Sequence, residues 1–243
     1  MSRSTTLFSG IFGSFAASCV ALVFVPQLQI GGLTAHVDEE SSEVYPVVNT
    51  RQGREIYIRE GCYYCHSQQV RDAQNGTDIE RGWGPRRSVA RDYIHEDPPV
   101  LGSMRIGPDL TNVGSKEWRN EAAGETVKKP AKRDARWHLT HLYNPTAVVG
   151  ESNMPPYRYL FTERKVAGRR STDALPVPVR EGYEIVPTPE AKQLVAYLLS
   201  LDRTHVLPET QAGSTPSPAA AASAPPAPAA PAAPAAPAAP AAK

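Results

Sequence analysis

Cysteine is scarce in this chain, with three in 243 residues. Cys62 and Cys65 form one close pair, and Cys19 stands alone in an apolar run. An odd count with a single pair excludes a disulfide framework. A structural zinc site needs two further ligands at suitable spacing, and no second Cys pair supplies them. An excess of one charge is missing too. Lys and Arg total 26 against 25 for Asp and Glu, a net charge of +1. Nothing there resembles the basic footprint of a nucleic-acid binder. Alternating apolar runs of strand length are absent, which points away from a sheet. Beyond Pro208 large apolar residues give out and the sequence becomes Ala and Pro. Such a stretch cannot offset the entropy of ordering, so residues 204–243 are expected to form a disordered tail.

What is present begins at the N-terminus. Leu7 to Ile30 carries no charged residue. As a helix it would reach about 36 Å, enough to cross a hydrocarbon core of about 30 Å. A cleaved signal peptide fits less well, because the apolar run is long and no small-x-small cleavage site follows. A lipid anchor at Cys19 fits less well again, because the apolar run continues past it. An uncleaved transmembrane anchor over residues 1–36 is the preferred reading. Gly10, Gly13, Ser14, Ala16 and Ala17 suit close packing against other membrane helices, and Pro26 is expected to kink the outer end. Residues 37–46 then read as a linker and 47–203 as the folded domain.

That domain reads as mainly α, small and loop-rich. A first helix is expected over Thr50 to Glu60, with Gly61 ending it. The segment from Gly76 to Val113 is rich in Gly, Pro and charge and reads as irregular loop. Arg136 to Tyr143 is a short helix stopped before Pro145. Thr188-Pro189-Glu190 is a strong helix start, combining an N-cap, a proline at the first position and an acid in the first turn. Leu194, Val195, Leu198 and Leu199 repeat on one face thereafter. So small an apolar core is short of stabilisation unless something apolar is buried within it.

Cys62-Tyr63-Tyr64-Cys65-His66 supplies the reason. Two thiols two residues apart can each add to a vinyl group on one porphyrin edge, and the following His then ligates the iron. One such motif means one covalently bound haem c, with Cys62 and Cys65 as thioethers and His66 as proximal ligand. Covalent haem attachment takes place outside the cytoplasm, so the domain is expected on the periplasmic side and the N-terminus in the cytoplasm. Arg3 before the span agrees with that orientation.

The sixth ligand must be sought elsewhere. The chain has three methionines. Met154, in Glu151-Ser152-Asn153-Met154-Pro155-Pro156-Tyr157, sits in a proline-stiffened loop and is the expected axial thioether. Met104 is a second candidate. His138 and His141 share a helical face and read as packing residues. The Pro108 carbonyl, in Gly107-Pro108-Asp109-Leu110, is expected to orient the His66 ring. Arg105 is a possible partner for a haem propionate, with Arg71, Arg86 and Arg87 as weaker ones.

These segments together resemble subunit II of cbb3-type cytochrome c oxidases, the membrane-anchored mono-haem subunit. The resemblance rests on Arg59 to Arg71, Gly102 to Leu110, Trp137 to Pro145 and Glu151 to Tyr157, in that order, with the N-terminal anchor. It implies a His66/Met154-ligated haem and no catalytic site in the chain itself. It implies electron transfer from a di-haem cytochrome c subunit or a soluble cytochrome c to haem b of a catalytic haem–copper subunit, where dioxygen is reduced. Arg81-Gly82-Trp83-Gly84, the Ala/Pro tail and the charged stretch from Glu117 to Arg133 depart from the pattern. Two alternatives stand beside it. One is the small cytochrome subunit of a nitric oxide reductase, which the residues flanking the haem motif disfavour. The other is a free-standing anchored electron carrier, which would have no use for a small-residue helix face.

Overall fold

The computed structural model describes residues 2–38, 42–46, 50–115 and 133–211. The Ala/Pro-rich sequence from 212 onward lies outside the described residues, as does all of the charged stretch except Arg133.

Residues Arg3–Ile30 form one helix of 28 residues, about 42 Å long at 1.5 Å per residue. Ser2 caps its start, accepting the Thr5 N–H at 3.2 Å. The helix is α over Arg3–Cys19 and Val25–Ile30, with a π turn at Val20–Phe24 in which the Val25 N–H reaches back to the Val20 carbonyl. Pro26 explains the turn. It has no N–H to give, and its ring would clash with the carbonyl four residues back, so the preceding turn widens. Phe12 and Phe15 are more than 70% exposed, and the helix buries no residue against the domain. It is long and apolar enough to cross a membrane.

The domain core is built where helix Arg51–Arg59 crosses helix Pro189–Leu199. The second starts as its sequence demands: Thr188 Oγ1 accepts the Ala191 N–H at 3.3 Å, with Pro189 in the first turn. Ile56 and Tyr57 pack against Ala191, Leu194, Tyr197 and Leu198, all buried. The Tyr57 and Tyr197 rings sit 5.4 Å apart. Helix Ala135–Tyr143 leans on the same core, capped by Asp134, which accepts the Trp137 N–H at 2.9 Å.

The mainly α expectation holds, but the absence of strands does not. Two antiparallel pairs occur among the described residues: His36–Val37 with Val44–Tyr45, and Phe161–Lys165 with Tyr183–Pro187. The second pair escapes a period-two reading because its burial does not alternate. Glu184 is buried beside Ile185, held by Arg164 Nε at 2.8 Å and by the Ser171 N–H at 2.7 Å.

Ordered packing also continues beyond the expected domain end at 203. Leu207 is fully buried, and Pro208–Gln211 forms a short helix. This C-terminal segment clasps the chain that follows the N-terminal helix. Tyr45 stacks on His205, with ring centroids 4.9 Å apart and planes 10° from parallel. Tyr45 Oη donates to Asp92 at 2.7 Å, and Arg86 grips the same carboxylate at 2.8 and 3.0 Å. Arg86 Nε also donates to the His205 carbonyl at 2.7 Å. Arg91 donates to Glu209 Oε1 at 2.7 Å and to the Thr34 carbonyl.

Candidate haem site

Gly61 turns the chain from the first core helix into the Cys-x-x-Cys-His segment. Its φ of 73° lies in the left-handed region open to glycine. Cys62–Cys65 is then a single helical turn, closed by the His66 N–H on the Cys62 carbonyl at 3.0 Å.

The loop from Leu101 to Leu110 lies against this turn and is stitched to it by backbone. Gln68 N–H bonds to the Leu101 carbonyl at 2.9 Å, Ser103 N–H to Tyr63 at 2.9 Å, Gly107 N–H to Cys65 at 3.0 Å and Leu110 N–H to Ser67 at 2.8 Å. Asp109 adds side-chain stitches, accepting Ser67 Oγ at 2.6 Å, the Gln69 N–H at 2.8 Å and the Thr111 N–H at 2.8 Å. His66 Nδ1 lies 2.7 Å from the Pro108 carbonyl oxygen. A carbonyl only accepts, so Nδ1 must carry the proton, and the lone pair then belongs to Nε2. Such a tautomer suits a metal ligand. Gly107 leaves no room for a side chain: a Cβ there would stand 2.2 Å from His66 Cε1.

Cys62, Cys65 and His66 open onto a cavity of about 320 Å³. Met154 and Pro155 line it, as do Tyr57, Leu194 and Leu198 from the two core helices. Met154 is carried on a loop with few backbone ties. Its N–H meets Ser152 Oγ at 3.3 Å, and the Tyr157 N–H anchors the far end to the Leu142 carbonyl at 2.8 Å. Met104 is 58% exposed and does not line the cavity. His138 and His141, read from sequence as packing residues, both line it. Trp137 stacks on His141 at 4.9 Å and meets His138 edge-on at 5.1 Å.

The surroundings are apolar enough to move ionisation. Burial, with smaller contributions from Glu60 and Cys65, pushes the Cys62 thiol up to about 12. It remains a neutral thiol at neutral pH, unlike the low-pKa thiolate of a redox Cys-x-x-Cys. Burial, with Cys62 next, likewise raises Tyr157 to about 12.

Arg105 does not line the cavity. Its Nε donates to Ser67 Oγ at 2.9 Å, one terminal nitrogen to both Asp78 oxygens at 2.5 and 2.6 Å, and the other to the Gln69 carbonyl at 2.5 Å. Its guanidinium also lies over Trp83, 5.4 Å from the ring centroid. The reason is local: Asp78, 2% exposed, needs a counter-charge. Arg86 is committed to Asp92, Arg87 lies near Asp72 at 3.7 Å and Arg71 near Asp78 at 3.5 Å. None of the four arginines singled out from sequence lines the cavity. Arg133 does, and sequence reasoning passes over it. The only signal is its spacing, since 133, 137 and 141 fall four apart.

The donor set fits haem better than a bare ion. No cluster of three or more His, Cys, Asp or Glu that could hold a metal occurs among the described residues. Haem brings four nitrogens of its own and asks the protein for axial ligands, thiols at one edge and an apolar slot. Cys62, Cys65, His66 and Met154 on one apolar cavity offer that set.

The family described as cytochrome c oxidase, mono-heme subunit/FixO matches residues 3–177. The match spans the N-terminal helix, the Cys-x-x-Cys-His turn, the Pro108 loop and Met154, and stops before the last core helix, which contributes Leu194 and Leu198 to the cavity. No curated protein matches the chain.

Proposed function

The chain belongs to the mono-haem (FixO) subunit family of cytochrome c oxidases, and from that premise we propose that it is the single-haem electron relay of a cbb3-type oxidase. Cys62 and Cys65 hold the haem through thioether bonds, and His66 and Met154 are its axial ligands. The carrying observation is that Met154, distant in sequence, lines the same apolar cavity as Cys62, Cys65 and His66. When bound, the haem supplies one reversible electron at its iron. The protein's part is to set how readily that electron is given up. Pro108 fixes the His66 tautomer, a Met154 thioether favours the ferrous state, and the apolar wall excludes water.

The donor in this reading is a di-haem cytochrome c subunit or a soluble cytochrome c. The acceptor is haem b of the catalytic haem–copper subunit, where dioxygen is reduced. The helix Arg3–Ile30 anchors the chain in the inner membrane with its N-terminus in the cytoplasm, and residues 47–203 and the C-terminal clasp form the periplasmic haem domain. The test is purification from native membranes. A single covalent haem on this chain, travelling with a large subunit that contains haem b and copper, is the expected result. A partner with non-haem iron in place of copper would overturn it.

A further inference from the structure

We propose that Arg133 is the cation that receives a haem carboxylate, held for that task on the face of Trp137. The proposal rests on the haem reading of the cavity and adds a binding residue to it. Arg133 is the one Arg, Lys, Asp or Glu among the described residues that line the cavity. Its guanidinium carbon stands 5.0 Å from the Trp137 ring centroid. Trp137 is itself backed by His141, 4.9 Å away and 12° from parallel, so the three side chains form a stack along one wall.

No carboxylate among the described residues pairs with Arg133, and burial pushes the pKa of its guanidinium down. Taking a charge out of water without a partner is costly. The ring face returns only part of that. Arg105 is the instructive counterpart. It too lies over a tryptophan, yet its donors are spent on Asp78, Ser67 and the Gln69 carbonyl. One arginine is satisfied by the protein; the other faces an apolar slot with its planar donors unspent among the described residues. A ligand for that slot should be an apolar body with an anionic edge. Haem fits, since its propionates are its anionic groups and a guanidinium pairs with a carboxylate through two parallel hydrogen bonds.

The experiment uses the full chain, purified with covalent haem carrying 13C in its propionate carboxyls. Redox-poised infrared difference spectra and a potential titration are recorded against pH. For Arg133→Gln, the reduced-to-oxidised ratio at a fixed ambient potential should fall several-fold, because a lost positive charge favours the more positive oxidised iron. The labelled carboxylate bands should shift, and the potential should become pH-dependent nearer neutrality. Arg133→Lys should restore most of the ratio while leaving the bands displaced, since charge returns without the bidentate geometry. Arg105→Gln should leave the labelled bands in place. Unmoved bands and an unmoved ratio in Arg133→Gln would overturn the proposal. If that variant accumulates too little to measure, Arg133→Lys decides: displaced bands support the proposal and unmoved bands overturn it. Absence of covalent haem from the unmutated chain would instead remove the parent reading, so the two failures are distinct.

Discussion

The two walls of the cavity are built in different ways. The wall that carries His66 is stitched by backbone hydrogen bonds at Leu101, Ser103, Gly107 and Leu110, and by three bonds to Asp109. The wall that carries Met154 has a single bond at the methionine itself, to Ser152 Oγ at 3.3 Å. Prolines and packing do the rest. One wall is therefore set by directional bonds before any ligand arrives. The other is set by shape, and shape is more easily altered. In the function proposed above the difference separates tasks: the stitched wall would determine whether a haem is held at all, and the packed wall how it behaves once held.

The contrast can be broken first on the stitched side. Replacing Cys62 and Cys65 together by Ser should abolish covalent haem, read as loss of haem stain on a denaturing gel. Gly107→Ala should be nearly as severe, because the added carbon would meet the His66 ring at 2.2 Å. Overpacking of this kind costs about 1–3 kcal/mol. A lower melting temperature and less haem per chain are expected, and an unchanged melt with full haem would show that the stitched wall is softer than its hydrogen bonds imply.

Met154→Ala sharpens the contrast from the other side. The haem stain should persist, while the potential falls by on the order of 0.1 V, within the ~0.8 V that axial ligands command. An unchanged visible spectrum would remove Met154 as a ligand. The smallest effect concerns acid. Burial pushes the Asp78 carboxyl up, but hydrogen bonds from Arg105 and the Arg71 N–H outweigh it, so the folded pKa is depressed. Stability from Asp78 is then present above the usual carboxylate range and lost as pH falls through the folded value. Asp78→Asn should flatten the fall in melting temperature below about pH 4, and an equally steep fall would assign the acid sensitivity elsewhere.

Short-range patterns are legible in the residues themselves. Thr188 capping its helix and Gly61 ending the one before the haem motif follow from backbone chemistry within a few residues. So does the stop of the 135–143 helix before Pro145. What depends on contact across the chain is not legible. The strand Tyr183–Pro187 hides its period because Glu184 is buried on Arg164. The closeness of Gly107 to His66 spans 41 positions of sequence and leaves no trace in either segment alone. Arg105 draws attention over Arg133 because it stands beside a recognisable motif, whereas its partner Asp78 lies in a loop with no pattern to announce it. Residues 204–211 read as tail because their composition gives no sign that Leu207 is buried or that Glu209 has a partner in Arg91.

The clasp at that end changes what kind of object the N-terminal helix holds. Thr34, gripped by Arg91, comes four residues after the helix ends at Ile30, and four residues span at most about 14 Å. A leash would let the head sweep a wide arc and search for partners. A stub this short, pinned by Arg91, which Glu209 holds in turn, is closer to a bracket. In the function proposed above, the electron's donor and acceptor would then come to a station that stays where the helix puts it.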